Sequence, residues 1–232
     1  MKKLYAITIA LFLMSTALYG QFNLQLGYGI AYGNPSDLNR LIYVYNNVQG
    51  DNLTKKMPKV HFLHGYTIGV SIGSDFKFEI HRTSRRGNVM AEATVNGVDY
   101  IRQLQIISNT LNFGASFAPS PKWDFGASLD IGNFKGFGRT GPAADKLKYE
   151  RLFVLDNSLI MRTRFGFTVF AQRNFGRLSA RLYWQWMPFT KSLDGLDSWL
   201  LNGQQIIENH HLEDKMSNLG LEVFFRIGKL YK

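Results

Sequence analysis

The chain has no cysteine. That excludes a disulfide framework and a lipoprotein anchor. Beyond residue 20 no apolar run is long enough for a membrane-crossing helix, so a helical membrane protein is excluded too. No linker, low-complexity tract or repeat of long period is visible. Acids are in deficit: 17 Asp and Glu stand against 27 Lys and Arg, for a net charge of +10. The mean hydropathy of −0.14 would suit a soluble protein. A β-barrel hides its membrane signal in alternation, so the mean does not decide the class. What is present in quantity is aromatic rings, at 14%, and 22 glycines. Rings suit interface belts, and glycines suit a crowded barrel interior.

The first twenty residues read as an export signal. Lys2 and Lys3 form a charged start, Leu4 to Leu18 a short apolar run, and the chain then turns small and polar. The expected cut lies near Gly20, leaving 21–232 as one domain. Losing Lys2 and Lys3 takes the basic count from 27 to 25 and the net charge to +8. Export makes nucleic acid an unsuitable partner for that charge. Phosphate-bearing lipid headgroups suit it.

Alternation is the dominant pattern. In the last strand Leu219, Leu221, Val223, Phe225 and Ile227 share one face, and Gly220, Glu222, Phe224, Arg226 and Gly228 the other. Phe22 to Tyr32 repeats the scheme, which recurs eight times. The fold class that follows is all-β: an eight-stranded antiparallel up-and-down transmembrane barrel. The other expected strands are 62–72, the two arms of one tall hairpin, 123–131, 159–173 and 177–186. Short turns fall near 73–75, 119–122 and 173–176. Long loops fall near 33–61, 133–157 and 188–216, the asymmetry of periplasmic turns and extracellular loops. Lys55, Lys56, Lys59, Arg85, Arg86, Arg102, Lys135, Arg139, Lys146, Lys148 and Arg151 are expected outside the cell.

Asn96-Gly97 is the favoured dipeptide of a two-residue hairpin turn. It pairs Val95 with Val98, and the register then brings Ile80 to Phe113 and Phe76 to Phe117. Each arm runs about 20 residues, twice the need of a membrane strand. The upper half therefore stands above the membrane. There the apolar face changes sides: Val89, Ala91, Ala93 and Val95, opposite Val98, Tyr100, Leu104 and Ile106, point toward the mouth. Something must cover them. One candidate is the first loop, where Leu38, Leu41, Ile42 and Tyr45 have helical spacing after Ser36, a candidate N-cap. The other is a partner protein, for which Val89, Ala91, Ala93, Val95, Tyr100 and Leu104 would form the docking strip.

Charged residues also fall on the inward face. Lys77, Arg162, Arg164, Arg181 and Arg226 share it with Glu79, Asp124, Asp130 and Glu222. Eight strands leave a lumen that side chains fill, so these read as a paired structural plug. Their alternative reading is a small ion channel. Glu79, His81 and Thr83 invite a hydrolase reading, but two-residue spacing on a strand separates them by about 7 Å. His210 and His211 beside Glu208, Glu213 and Asp214 read as a solvated loop rather than a metal site. Trp123, Trp184 and Trp186 face lipid as belt residues. No catalytic residue, metal or cofactor is expected.

Together these features resemble the small outer-membrane barrels typified by the OmpA transmembrane domain and OmpX, in their Bacteroidota style. The Gly-Gln signal end and the Q-F-N-L-Q-L-G-Y-G opening strand carry that resemblance. It implies anchoring, adhesion, envelope integrity or an accessory role in outer-membrane secretion and assembly complexes. The expected function is a non-enzymatic external platform for lipopolysaccharide or another envelope protein. A lipid-A-modifying barrel hydrolase is the enzymatic alternative.

Overall fold

A computed structural model of the chain describes residues 22–152, 164–188, 190–193, 196–201, 213–215 and 217–228, with the side chains of 164, 190–192 and 213 left aside. Eight long strands close into a ring: β1 (Phe22–Tyr32), β2 (Phe62–Gly73), β3 (Phe76–Val95), β4 (Val98–Ser120), β5 (Trp123–Pro142), β7 (Arg164–Phe175), β8 (Leu178–Trp186) and β11 (Asn218–Gly228). Each pairs antiparallel with its sequence neighbour in that ring, and β1 closes on β11 with Leu26 opposite Phe225 and Tyr28 opposite Val223. Closure leaves the membrane-level strands without a free edge, which lipid would not satisfy. The small elements are helix α1 (Ser36–Val48), a 3₁₀ turn at Gly50–Asn52, β6 (Glu150–Arg151), the ribbon of β9 (Thr190–Ser192) with β10 (Glu213–Lys215), and helix α2 (Leu196–Leu200).

Alternation sets the two faces. Along β11, Leu219, Leu221, Val223, Phe225 and Ile227 are exposed on the outer wall, while Glu222, Phe224 and Arg226 are buried inside. Small inward residues make room for large ones. A side chain at Gly27 would run into the Phe224 ring, and one at Gly220 into the Tyr183 hydroxyl. The tall hairpin takes the expected register: Val95 faces Val98, Ile80 faces Phe113 and Phe76 faces Phe117. Asn96 and Gly97 both have positive φ, 52° and 76°, as a type I′ turn requires.

β5 differs from expectation. Residues 133–142 are not a loop but continue the strand, with Asn133 opposite Asn109 and Pro142 opposite Tyr100. The upper half of β4 offers a row of unpaired backbone groups, and β5 satisfies them. Gly132, Gly136, Gly138 and Gly141 disguise the strand in the sequence. Gly138 is required by a close approach: a Cβ there would lie 2.4 Å from the Trp199 ring. Above the membrane the wall thus includes the three long strands β3, β4 and β5, with the short β6 paired to the β5 edge. The start expected for the sixth strand, near Leu159, lies outside the described residues.

Two interiors are stacked along the axis. The lower is polar. The upper is an apolar core that joins Leu38, Leu41, Ile42 and Tyr45 of α1 to Val89, Leu104, Ile106 and Phe134 of the wall, with Leu193, Leu196 and Leu200 packed alongside.

Candidate functional site

The lower interior is filled with ion pairs and hydrogen bonds. Lys77 Nζ donates to Asp124 Oδ1 at 2.7 Å, and Gln172 and Asn174 donate to Asp124 Oδ2 at 3.1 Å each. Arg181 is the hub. Its Nη2 reaches Glu79 Oε2 at 2.6 Å, its Nε reaches Gln172 Oε1 at 3.0 Å, and its guanidinium lies 3.9 Å from the Phe170 ring centre. Asp130 receives Asn112, Ser128, Thr168 and Gln185, four neutral donors. Glu222 Oε1 accepts Arg85 Nη2 at 2.6 Å and Thr67 Oγ1 at 2.5 Å. Carboxylates held this way meet the condition on which a charge tolerates burial.

Six of the expected lumen residues, Lys77, Glu79, Asp124, Asp130, Arg181 and Glu222, belong to this set. Arg226 is buried too, but it donates to the Gly176 carbonyl at 2.7 Å, at the level of the short turns. Arg162 lies outside the described residues, and for Arg164 only the backbone is described. Arg85 corrects an expectation. The sequence reading places it in an external segment, yet it is 6% exposed and holds Glu222. Its inward parity with Lys77, Glu79, His81 and Thr83 was the available signal.

His81 is part of the same packing. Its Nδ1 accepts from Arg181 Nη1 at 3.2 Å, because the guanidinium can only donate; Nε2 then donates to Gln25 Oε1 at 3.2 Å. Glu79, His81 and Thr83 are all below about a tenth exposed, and the void they line measures about 20 Å³. That volume holds a water and no acyl substrate. Among the described residues no three His, Asp or Glu side chains converge as metal ligands. Of the loop cluster, His210, His211 and Glu208 lie outside the described residues, and Asp214 has a different task.

Asp214 caps α1 from the far end of the chain. Its Oδ2 accepts the Leu38 N–H at 2.6 Å, and Oδ1 accepts the Asp37 N–H at 3.2 Å and the Ser36 hydroxyl at 3.3 Å. The expected N-cap, Ser36, is instead the first helical residue, after Pro35. Pro35 has no side chain able to cap, so the orphan N–H groups take their acceptor from β10. Burial pushes the Asp214 carboxyl above the usual carboxylate range, and the Leu38 and Asp37 N–H groups offset part of that.

Two asparagines on one face of α1 stitch loop one together. Asn39 binds both backbone groups of Val60, and Asn46 both those of Met57. Lys55 bridges to β3 through Glu92, at 2.8 Å between side chains. Arg102 lies beside the Tyr45 and Trp199 rings and donates to the Leu200 carbonyl at 2.5 Å. Burial raises the Tyr45 hydroxyl above its ordinary value, with Arg102 opposing.

This cap divides the expected docking strip. Val89, Ala91 and Leu104 are 8%, 1% and 0% exposed under α1, so they cannot serve as docking residues in the folded chain. The apolar spacing on α1 matches their face, and the chain covers its own strip. Ala93 is half-buried, while Val95 and Tyr100 remain exposed at 49% and 39%. These three border a cleft of about 440 Å³ between the hairpin top, the end of α1 and the 3₁₀ turn, with Leu53 and Arg102 in its lining.

No protein-family model matches the chain, and no curated protein matches it. Among solved structures it is similar to Ail, the attachment invasion locus protein of Yersinia pestis, crystallised with the heparin analogue sucrose octasulfate. The identity is 9%, over 90% of this chain and 99% of that one, with a TM-score of 0.45. A mutant of the monoaromatic hydrocarbon channel TodX is 10% identical over 92% of this chain and 68% of its own, with a TM-score of 0.23. Likenesses at this level add nothing to what strand pairing already shows: the chain is an eight-stranded up-and-down barrel with an apolar outer wall.

Proposed function

We propose that the chain is a non-enzymatic barrel of the bacterial outer membrane, exported by a leader cut near Gly20. It presents the top of its capped wall to another envelope protein, as an accessory subunit of an outer-membrane secretion or assembly complex. The observation that carries this reading is the cleft beneath the Asn96-Gly97 tip. Loop one buries the lower strip completely and stops short of Ala93, Val95 and Tyr100. An exposed tyrosine beside two small apolar residues, at the far end of a stiff three-stranded wall, has the make-up of an interface anchor.

A photo-crosslinking residue at position 100, in intact cells, tests it. One protein adduct is expected there, and none from position 43, where Tyr43 is more exposed still on α1. The adduct should vanish when Val95→Asp is added, while the protein still resists SDS unless heated. Equal adducts at 100 and 43, or none at either, would reject the platform.

A further inference from the structure

The outer wall carries a second, unrelated feature. Strand register places His64, Arg86, Ile107 and Lys135 side by side across β2, β3, β4 and β5. Four residues down β3, Arg82 stands between Ile68 and Leu111, with Ile131 next along. The row between them is Tyr66, Ser84, Asn109 and Asn133. All point outward. Below Arg82 the same face is Phe76, Phe78 and Ile80, a lipid-facing stretch. Arg82 thus sits on the upper edge of the apolar band, and Arg86 and Lys135 just above it.

Among the described residues these three cations have no ion pair and no side-chain hydrogen bond. The interior cations contrast with them: Lys77, Arg85 and Arg181 each hold a carboxylate. From the Arg82 row up to Met90, the outward face of β2 to β5 has no acid. The next is Glu92, already held by Lys55. A guanidinium at the edge of hydrocarbon needs an anion, and none of the described residues supplies one. Tyr28 and Tyr66, in facing register, mark the headgroup level, with the Tyr28 hydroxyl 2.5 Å from His64 Nδ1. Arg86 and Lys135 are two strands apart, about 10 Å, and Arg82 and Arg86 four residues apart, about 13 Å. That spread exceeds one phosphate and suits phosphates carried on a rigid sugar scaffold.

We propose that Arg82, Arg86 and Lys135 form a binding site for the phosphorylated sugar headgroup of an outer-leaflet glycolipid of the lipid A class. Each Arg can grip a phosphate through two N–H groups, and the Lys adds a point charge. The acyl chains then lie along Phe78, Ile80 and Phe113. The site needs the membrane placement of the barrel and is independent of the cleft and its protein partner.

The test uses the whole mature protein in mild detergent, with bound lipid counted by native mass spectrometry during titration. The probes are bisphosphoryl lipid A, the same lipid after phosphatase treatment, and phosphatidylglycerol. Lipid A should bind about tenfold tighter than either of the others, and more weakly in high salt. Arg82→Gln with Arg86→Gln should lose about tenfold, and Lys135→Gln less, while Lys122→Gln, in a short turn at the opposite end of the barrel, changes nothing. Three of these positions face outward and Lys122 lies in an exposed turn, and SDS resistance before heating checks the fold. Unchanged binding by the double variant, or equal binding of the phosphatase-treated lipid, overturns the site. Equal binding of phosphatidylglycerol overturns the glycolipid assignment. The crosslink at position 100 stays the same in every case, so failure here is separable from failure of the platform.

Discussion

The two halves of β3 are mirror images in polarity. In the lower half the outward residues Phe76, Phe78 and Ile80 are apolar, up to Arg82 at the edge of the band, and the inward ones are Lys77, Glu79, His81, Thr83 and Arg85. From Asn88 to Thr94 the outward residues are mostly polar and the inward ones are Val89, Ala91 and Ala93. One strand thus belongs to a membrane protein at its lower end and to a water-soluble one at its upper end. Solvent decides the difference. Lipid rewards apolar atoms outside and forces polar groups to find each other inside, whereas water above the membrane restores the ordinary arrangement of an apolar core. The cap is a small soluble-type core seated on an inverted barrel.

The interior pairs are the first place to break that contrast. Arg181→Met leaves Glu79 buried with Ser116 and without its cation, at a cost of about 3–5 kcal/mol in unfolding measured in detergent. In the upper storey the equivalent blow is apolar. Leu104→Ala should cost about 2–5 kcal/mol, felt as lost hydrogen-exchange protection in α1 while the barrel keeps its SDS resistance. If the barrel loosens equally, the two interiors are one cooperative unit. The outer wall gives a milder test. Val223→Arg should cost about 2–4 kcal/mol if that residue lies near the midplane, and Asn88→Arg close to nothing. Equal costs would place both in the same medium.

The smallest effect concerns Asp214. Its carboxyl titrates above the usual range in the folded cap, so the folded state holds that proton more tightly than the unfolded chain. The contribution is fully present below the ordinary carboxylate value and is lost as pH rises through the raised one. Protection of α1 amides, corrected for intrinsic exchange, should therefore fall across that window. Asp214→Asn should flatten the slope.

The sequence carried the barrel in legible form because alternation and the Asn96-Gly97 turn are local signals. One dipeptide set the register of forty residues, down to Phe76 opposite Phe117. The upper part of β5 is hidden, since Gly132, Gly136 and Gly138 blur the alternation, and the reason for Gly138 shows only once Trp199 packs against it. Arg85 reads as external by its neighbouring charges and as internal by its parity, and the parity decides. The Asp214 cap could not be read at all: it joins residues 176 apart, and nothing local at Leu38 names its acceptor. The outward row of Arg82, Arg86 and Lys135 depends on β5 running past residue 133, which the sequence pattern conceals.

The inversion itself can be measured in one scan. The chain has no cysteine, so each Cys introduced along β3 is a single reporter. In lipid bilayers a water-soluble thiol reagent should label Asn88→Cys and Thr94→Cys rapidly. It should spare Phe78→Cys and Ile80→Cys, which face lipid, and Thr83→Cys, Val89→Cys and Ala91→Cys, which face the two interiors. Labelling of Val89→Cys and Ala91→Cys as fast as Asn88→Cys, or protection at Asn88→Cys, would contradict the stacked-interior account.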